Sequence, residues 1–160
     1  MSDRPRWTRK RIRLQPEAYA QAGAVCSVTI AVEGRRPRFA DAAAAAAAIQ
    51  VLKQHASRTG VLVYAYCIMP DHVHLLLGPS ETCDLVQFVG QFKNLAQRAI
   101  WRQGVRGRIW QLSFWDRFLR SDEDLRQAVE YVLHNPVVAG LVEHWRDYPF
   151  AGSLVFAVRE

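Results

Sequence analysis

The chain has 160 residues, of which 50% are hydrophobic and 22% charged, the balance of an ordinary globular protein and enough for one core. No apolar run approaches the ~20 residues that span a bilayer and the N-terminus lacks a signal-peptide core, so a single domain with no membrane partner and a cytoplasmic location is expected. The formal net charge of +6 makes an anionic partner plausible. All basic residues except Lys10, Lys53 and Lys93 are arginines, whose planar fork suits phosphate oxygens and guanine edges. Arginine excess also accompanies a GC-rich genome, as the alanine run 42–48 does, so clustering is the better guide.

The first cluster is a basic arm over about residues 1–18: Arg4, Arg6, Arg9, Lys10, Arg11 and Arg13 surround Trp7, a pattern expected to meet a polyanion. Residues 24–32 are β-branched and apolar, predicting a buried strand, and Gly34 to Pro37 break it. Asp41 is a natural N-cap for a helix through the alanines to about Arg58, with Gly60 as its stop. Residues 61–68 predict a second strand, Met69-Pro70-Asp71 a tight connection, and 72–77 a third strand antiparallel to the second. Leu85, Phe88, Val89, Phe92, Leu95, Ala96 and Ala99 recur at helical spacing to about Arg102, leaving Gln91, Lys93, Asn94, Gln97 and Arg98 on a polar face without acids. A basic loop with Arg106 and Arg108 follows, then a short aromatic-rich strand region over 109–119. Ser121-Asp122-Glu123-Asp124 starts a helix that Pro136 is expected to close. The three cysteines, Cys26, Cys67 and Cys83, lack metal-type spacing and are expected to be reduced and mostly buried. This order of elements predicts an α+β fold, a ferredoxin-like antiparallel sheet with helices packed on one face.

Within the third strand, His72 and His74 are two residues apart and leave the backbone on the same side. That pattern alone fits two half-exposed strand histidines as well as a metal pair. In the last helix Leu125, Ala128, Val129 and Val132 form the apolar stripe, with Tyr131 roughly 120° and Asn135 roughly 80° from its centre. Being four apart, the two are neighbours on one helix face. A tyrosine at such a border ordinarily packs its ring and leaves its hydroxyl in water, and asparagine before proline ordinarily ends a helix. Asp116 sits beside Arg117 and near Arg120, where an ion pair accounts for it as well as a ligand or base does. His55 and His144 show no partner pattern, and His134 reads as a solvent-facing helix residue.

His72-Val73-His74 after Met69-Pro70-Asp71, then Trp110-Gln111, Phe114-Trp115-Asp116-Arg117 with Arg120, Tyr131 to Pro136 with Gly140-Leu141-Val142, and Asp147-Tyr148-Pro149 with Ser153 closely resemble the REP-associated tyrosine transposases. These are single-tyrosine HUH transposases, bacterial enzymes of single-stranded DNA transposition. The likeness spans nearly the whole chain in order and spacing, and departs where the first strand continues as Ala31-Val32-Glu33, a place where many relatives carry an arginine.

By this resemblance His72 and His74 are metal ligands, Asn135 is the third, and Tyr131 is the nucleophile that leaves a 5′-phosphotyrosine and a 3′-hydroxyl. Ligand softness alone favours manganese, zinc or nickel for two imidazoles and an amide, whereas the family implies Mg2+ or Mn2+. The resemblance implies a single-stranded DNA endonuclease and strand transferase acting on hairpin-forming repeats, as monomer or homodimer. Arg4, Arg6, Arg9, Lys10, Arg11, Arg13, Lys93, Arg98, Arg106, Arg108, Arg117 and Arg120 are the candidate DNA-binding residues. The alternatives are a domesticated DNA-binding protein without chemistry and a hydrolytic metal nuclease in which Tyr131 only packs.

Overall fold

The computed structural model describes residues 23–120 and 124–159. The basic arm around Trp7 and the Ser121-Asp122-Glu123 helix start lie outside them. Five strands, β1 (Cys26–Ala31), β2 (Leu62–Met69), β3 (His72–Gly78), β4 (Trp115–Phe118) and β5 (Ala151–Gly152), form one sheet in the order β4-β1-β3-β2-β5. Every neighbouring pair is antiparallel, so β1 and β2 flank β3 and run parallel to each other, which requires a crossover. Helix α1 (Ala42–Thr59) supplies it.

The predicted signals of the first helix hold. Asp41 accepts a hydrogen bond from the Ala43 N–H at 2.9 Å, and Gly60, at φ 76°, closes the helix by donating to the Ala56 carbonyl. Helix α2 (Leu85–Trp101) is capped by Asp84, which accepts from the Gln87 N–H at 2.8 Å, and its apolar stripe is buried. Helix α3 (Leu125–Leu133) begins at Asp124, whose carboxylate accepts from the Arg126 N–H at 2.8 Å.

Two apolar layers flank the sheet. Val28 and Ile30 of β1, Ile68 of β2, and Val73, Leu75 and Leu77 of β3 pack against the buried faces of α1 and α2, among them Leu52, Phe88 and Phe92. The two long helices thus share one face of the antiparallel sheet, as the pattern predicts. The alternate residues Ala65, Cys67, Met69 and Leu76 point the other way, where Val129, Val132 and Leu133 of α3 cover them together with Tyr148 and Ala151. A one-residue register shift between Val63 and Ala65 sets this parity.

Three local expectations are corrected. Of residues 109–119 only 115–118 form a strand; Trp110 makes a lone bridge to Val32 while its indole donates to the Lys93 carbonyl. The last predicted helix ends at Leu133, before Pro136. Pro136 instead opens the short helix α4 (Asn135–Val138), where its missing N–H costs no hydrogen bond. The two-residue strand β5 was not anticipated; Gly152 allows it, since a Cβ there would come within 2.8 Å of the Tyr66 hydroxyl. All three cysteines are buried and form no disulfide among the described residues.

Candidate active site on the histidine face

Cross-strand register puts the histidines in a defined setting. His72 lies opposite Ala31 and Met69, and His74 opposite Thr29 and Cys67. Residues directly opposite share a face, so both imidazoles project from the side that carries Cys67 and Met69, the side covered by α3. The rings meet edge to face with centroids 4.9 Å apart.

Each ring is held through Nδ1. Asp71 Oδ1 lies 2.7 Å from His72 Nδ1, and because a carboxylate only accepts, that nitrogen carries the proton and Nε2 carries the lone pair. Thr29 Oγ1 lies 3.1 Å from His74 Nδ1 in a buried contact. A hydroxyl can accept or donate, and the tautomer that accepts a cation at Nε2 is the one in which Nδ1–H donates to Thr29. Burial pushes the His74 imidazole down to about 3, helped by the nearby His72 and Arg35. Burial also lowers His72, against the opposing pull of the Asp71 carboxylate. Both rings are therefore neutral at physiological pH, the state in which imidazole ligates metals.

The turn carrying Asp71 is clamped from the β1–α1 connection. The Val32 N–H donates to the Asp71 carbonyl at 2.9 Å and the Phe39 N–H to the Pro70 carbonyl at 3.0 Å. Arg35, a non-glycine at φ 55°, follows Gly34 in the same left-handed region and brings Nε to 3.6 Å from Asp71 Oδ2. A left-handed arginine backbone is strained by ~1 kcal/mol or more and marks a place where position is held by surrounding contacts. Thr29, Asp71 and Arg35 were not singled out from sequence as site residues. Only Asp71 had a local signal, its adjacency to His72.

Tyr131 is 57% exposed on α3, the helix seated on the histidine side of the sheet. Two other tyrosines, Tyr148 and Tyr66, are poor nucleophiles. Tyr148 is buried, donates to the Ile68 carbonyl, and is pushed far above the usual phenol range by burial, and Tyr66 is buried and raised for the same reason. Asn135 is half-buried, and its amide donates to the carbonyls of Tyr131 at 3.1 Å and Val132 at 3.2 Å, closing the end of α3. With Nδ2 so engaged, Oδ1 is the atom an incoming cation would meet. His134 caps the same helix by donating Nδ1–H to the Glu130 carbonyl at 2.8 Å, which leaves it outside the histidine pair.

The basic residues divide. Register places Arg117 opposite Ser27, on the histidine side, whereas Asp116 lies opposite Val28 and so on the α1/α2 side, away from the histidines. Arg98, Arg106, Arg117 and Arg120 are exposed; Arg108, also exposed, pairs with Glu33 at 3.7 Å. Lys93 is half-buried and its ammonium donates to the Gln111 carbonyl at 2.7 Å, a tie between α2 and the following segment. Trp110 is a core residue, while Trp101 is 41% exposed with its indole donating to the Gly107 carbonyl. Among the described residues no helix is long and apolar enough to cross a membrane.

The profile of the IS200-like transposase family matches residues 24–132, a span that holds both histidines and Tyr131. A protein of Haemophilus influenzae assigned to the REP-associated tyrosine transposases is 38% identical in an alignment of 98 residues, covering 54% of this chain and 56% of that protein. The REP-associated tyrosine transposase of Escherichia coli K12 is 29% identical over 89 residues, covering 56% of this chain and 52% of its own length. The chain thus spans about half the length of these curated relatives. In fold it is similar to a REP-associated tyrosine transposase solved with a REP hairpin, at a TM-score of 0.66 and 24% identity over 87% of this chain and 82% of the other. A structure from Deinococcus radiodurans described as a transposase aligns at a TM-score of 0.51 and 24% identity, over 69% and 88% of the two chains. The profile covers well over half of the residues, and the chain belongs to the IS200-like transposase family.

Proposed function

We propose that the protein is a metal-dependent DNA strand transferase that cleaves a single strand beside a hairpin and keeps the cut end on Tyr131. The observation that carries this reading is the meeting, on one face of one sheet, of two neutral histidines with fixed Nδ1 partners and a helix that exposes a tyrosine. The hairpin substrate comes from the relative solved with a REP hairpin, and the strand polarity from the likeness to tyrosine transposases.

His72, His74 and the Oδ1 atom of Asn135 fit a divalent cation as a partial set: two lone-pair nitrogens and one amide oxygen, leaving positions for water and phosphate oxygens. A Mg2+ or Mn2+ ion bound there would polarise the scissile phosphate. Asp71 keeps His72 in the correct tautomer, and the Thr29 hydroxyl can accept from His74 Nδ1–H, which leaves that ring's Nε2 lone pair to the cation. The Tyr131 oxygen attacks phosphorus, the bond from phosphorus to the 3′ oxygen breaks, and that oxygen leaves as a 3′-hydroxyl after taking up a proton. One phosphodiester replaces another, so the resulting 5′-phosphotyrosine retains bond energy for a second transfer without ATP. Arg117 on the same side is suited to bind the strand as it crosses this face.

Replacing His72 or His74 with alanine tests the assignment. Metal-dependent cleavage of a hairpin oligonucleotide should fall by at least ~100-fold while the circular dichroism spectrum is kept. A His72→Ala protein that cleaves at the wild-type rate would remove the metal site from the mechanism.

A further inference from the structure

On the other side of the sheet, in the layer of α1 and α2, the two helices leave a groove of about 240 Å³ between them. Its wall on α1 carries Gln54, His55 and Arg58, and its wall on α2 carries Arg98 and Arg102. The spacing is helical on both sides: 54, 55 and 58 fall on one stripe of α1 together with Val51, and 98 and 102 on one stripe of α2 together with Leu95. The helices run antiparallel, since His55 stacks on Phe88 with centroids 4.6 Å apart near one end, and the Gln103 side chain donates to the Ala43 carbonyl at 3.2 Å near the other.

Two features of this groove point to an anion. It gathers three guanidinium groups, and no carboxylate lines it. Among the described residues none of Arg58, Arg98 and Arg102 has an ion-pair partner, whereas Arg35, Arg108 and Arg126 elsewhere on the chain each pair with an acid. His55, 6% exposed, forms part of the groove's floor, where its ring stacks on Phe88, and so reports on occupancy without touching the ligand.

We propose that this groove is a phosphate-binding site for an extended backbone, in which Arg58 at one end and Arg98 and Arg102 toward the other meet successive phosphates by their forks. Guanidinium pairs with phosphate bidentately, and the groove lies along helix flanks rather than at a helix N-terminus, so side chains and not backbone amides carry the recognition. The phosphates belong to the backbone of a DNA strand. This part rests on the proposed function, and it gives a strand a second anchoring point on the side of the sheet opposite the histidines. Such an anchor holds DNA without reading sequence.

The test uses the full chain, with no catalytic residue altered. The imidazole resonances of His55 are followed by 15N–1H NMR during titration with a ten-residue oligothymidylate and, separately, with inorganic phosphate. In parallel, oligothymidylate affinity is measured by fluorescence anisotropy across a salt series for wild type, Arg58→Gln, Arg58→Gln/Arg98→Gln and Lys53→Gln. Lys53 is exposed on the same helix and lies outside the groove, so it controls for charge alone. The expected result is a saturable His55 shift with the oligonucleotide, and a salt slope shallower by about 0.7 in Arg58→Gln and about 1.4 in the double variant, with Lys53→Gln unchanged. A saturable shift with inorganic phosphate but none with the oligonucleotide would keep the site and reassign its occupant to a free phosphate. Absence of any His55 shift with either probe, or equal slopes in Arg58→Gln and Lys53→Gln, would overturn the proposal. Neither outcome touches adduct formation at Tyr131, which is measured separately and should persist in Arg58→Gln at saturating DNA.

Discussion

Asp71 offers the sharpest handle on the histidine pair, because it contacts a proposed ligand without being one. Its Oδ1 lies 2.7 Å from His72 Nδ1, the length of a charge-assisted bond, and the Pro70-Asp71 turn is fixed by backbone hydrogen bonds from Val32 and Phe39. In Asp71→Ala the ring loses both its orientation and its preference for the Nδ1–H tautomer, while the backbone clamp stays. Loss of such an outer partner typically lowers metal affinity 10–100-fold, about 1.4 to 2.7 kcal/mol. Asp71→Asn retains an oxygen that can accept from Nδ1–H and should lose less, below about tenfold. Isothermal titration with MnCl2, checked by the free Mn2+ electron paramagnetic resonance signal, measures this directly and needs no DNA. Mn2+ affinity in Asp71→Ala equal to wild type would refute the positioning role, and a larger loss in Asp71→Asn than in Asp71→Ala would refute the tautomer argument.

Other consequences follow from the same geometry. His74 is held near pKa 3 in the fold against an ordinary 6.5, so between those values the unfolded chain binds a proton that the folded one does not. Its contribution is therefore intact above pH 6.5 and lost as pH falls, and urea unfolding should show wild type losing about 1.4 kcal/mol per pH unit more than His74→Asn below pH 6; parallel curves would contradict this. Thr29→Val keeps the volume and removes the hydroxyl beside His74 Nδ1, so it should cost roughly 1–3 kcal/mol by chemical denaturation and weaken Mn2+ binding, and a fully stable variant with unchanged Mn2+ affinity would contradict both. Deleting residues 1–13 removes six basic side chains, and the slope of log affinity against log salt for a hairpin should become shallower; an identical slope would rule the arm out of the DNA contact.

Much of the scaffold can be read from the chain because its signals are local. The Asp41 cap, the Gly60 stop and the apolar stripe of α2 each occupy a few consecutive turns, and all lie where the pattern puts them. The shared face of His72 and His74 follows from strand alternation alone. What the pattern missed depends on register or on distant segments. Thr29 reaches His74 across 45 residues of sequence because β1 pairs with β3 in one particular register. Strand β5 is two residues long, too short for any periodicity, and the break between α3 and α4 is set by hydrogen bonds from His134 and Asn135 back to α3. One signal was present: β2 and β3 are apolar at nearly every position, the mark of strands covered on both faces. That anticipates α3 opposite the two long helices. Lys93 was placed on a polar face by helical spacing, which does not register the carbonyl of Gln111 arriving from 18 residues away.

The account turns on the exposed hydroxyl of Tyr131, and one gel decides it. A hairpin oligonucleotide with a single-stranded flank, labelled on the side that should remain with the protein, is incubated with Mn2+ and run under denaturing conditions against wild type and Tyr131→Phe. The substitution removes one oxygen from a side chain that is 57% exposed, so folding and DNA binding should be nearly unchanged. The prediction is a labelled protein band for wild type that is absent from Tyr131→Phe. A band of equal intensity in Tyr131→Phe, or cleavage by wild type with no covalent band at all, would contradict the tyrosine mechanism.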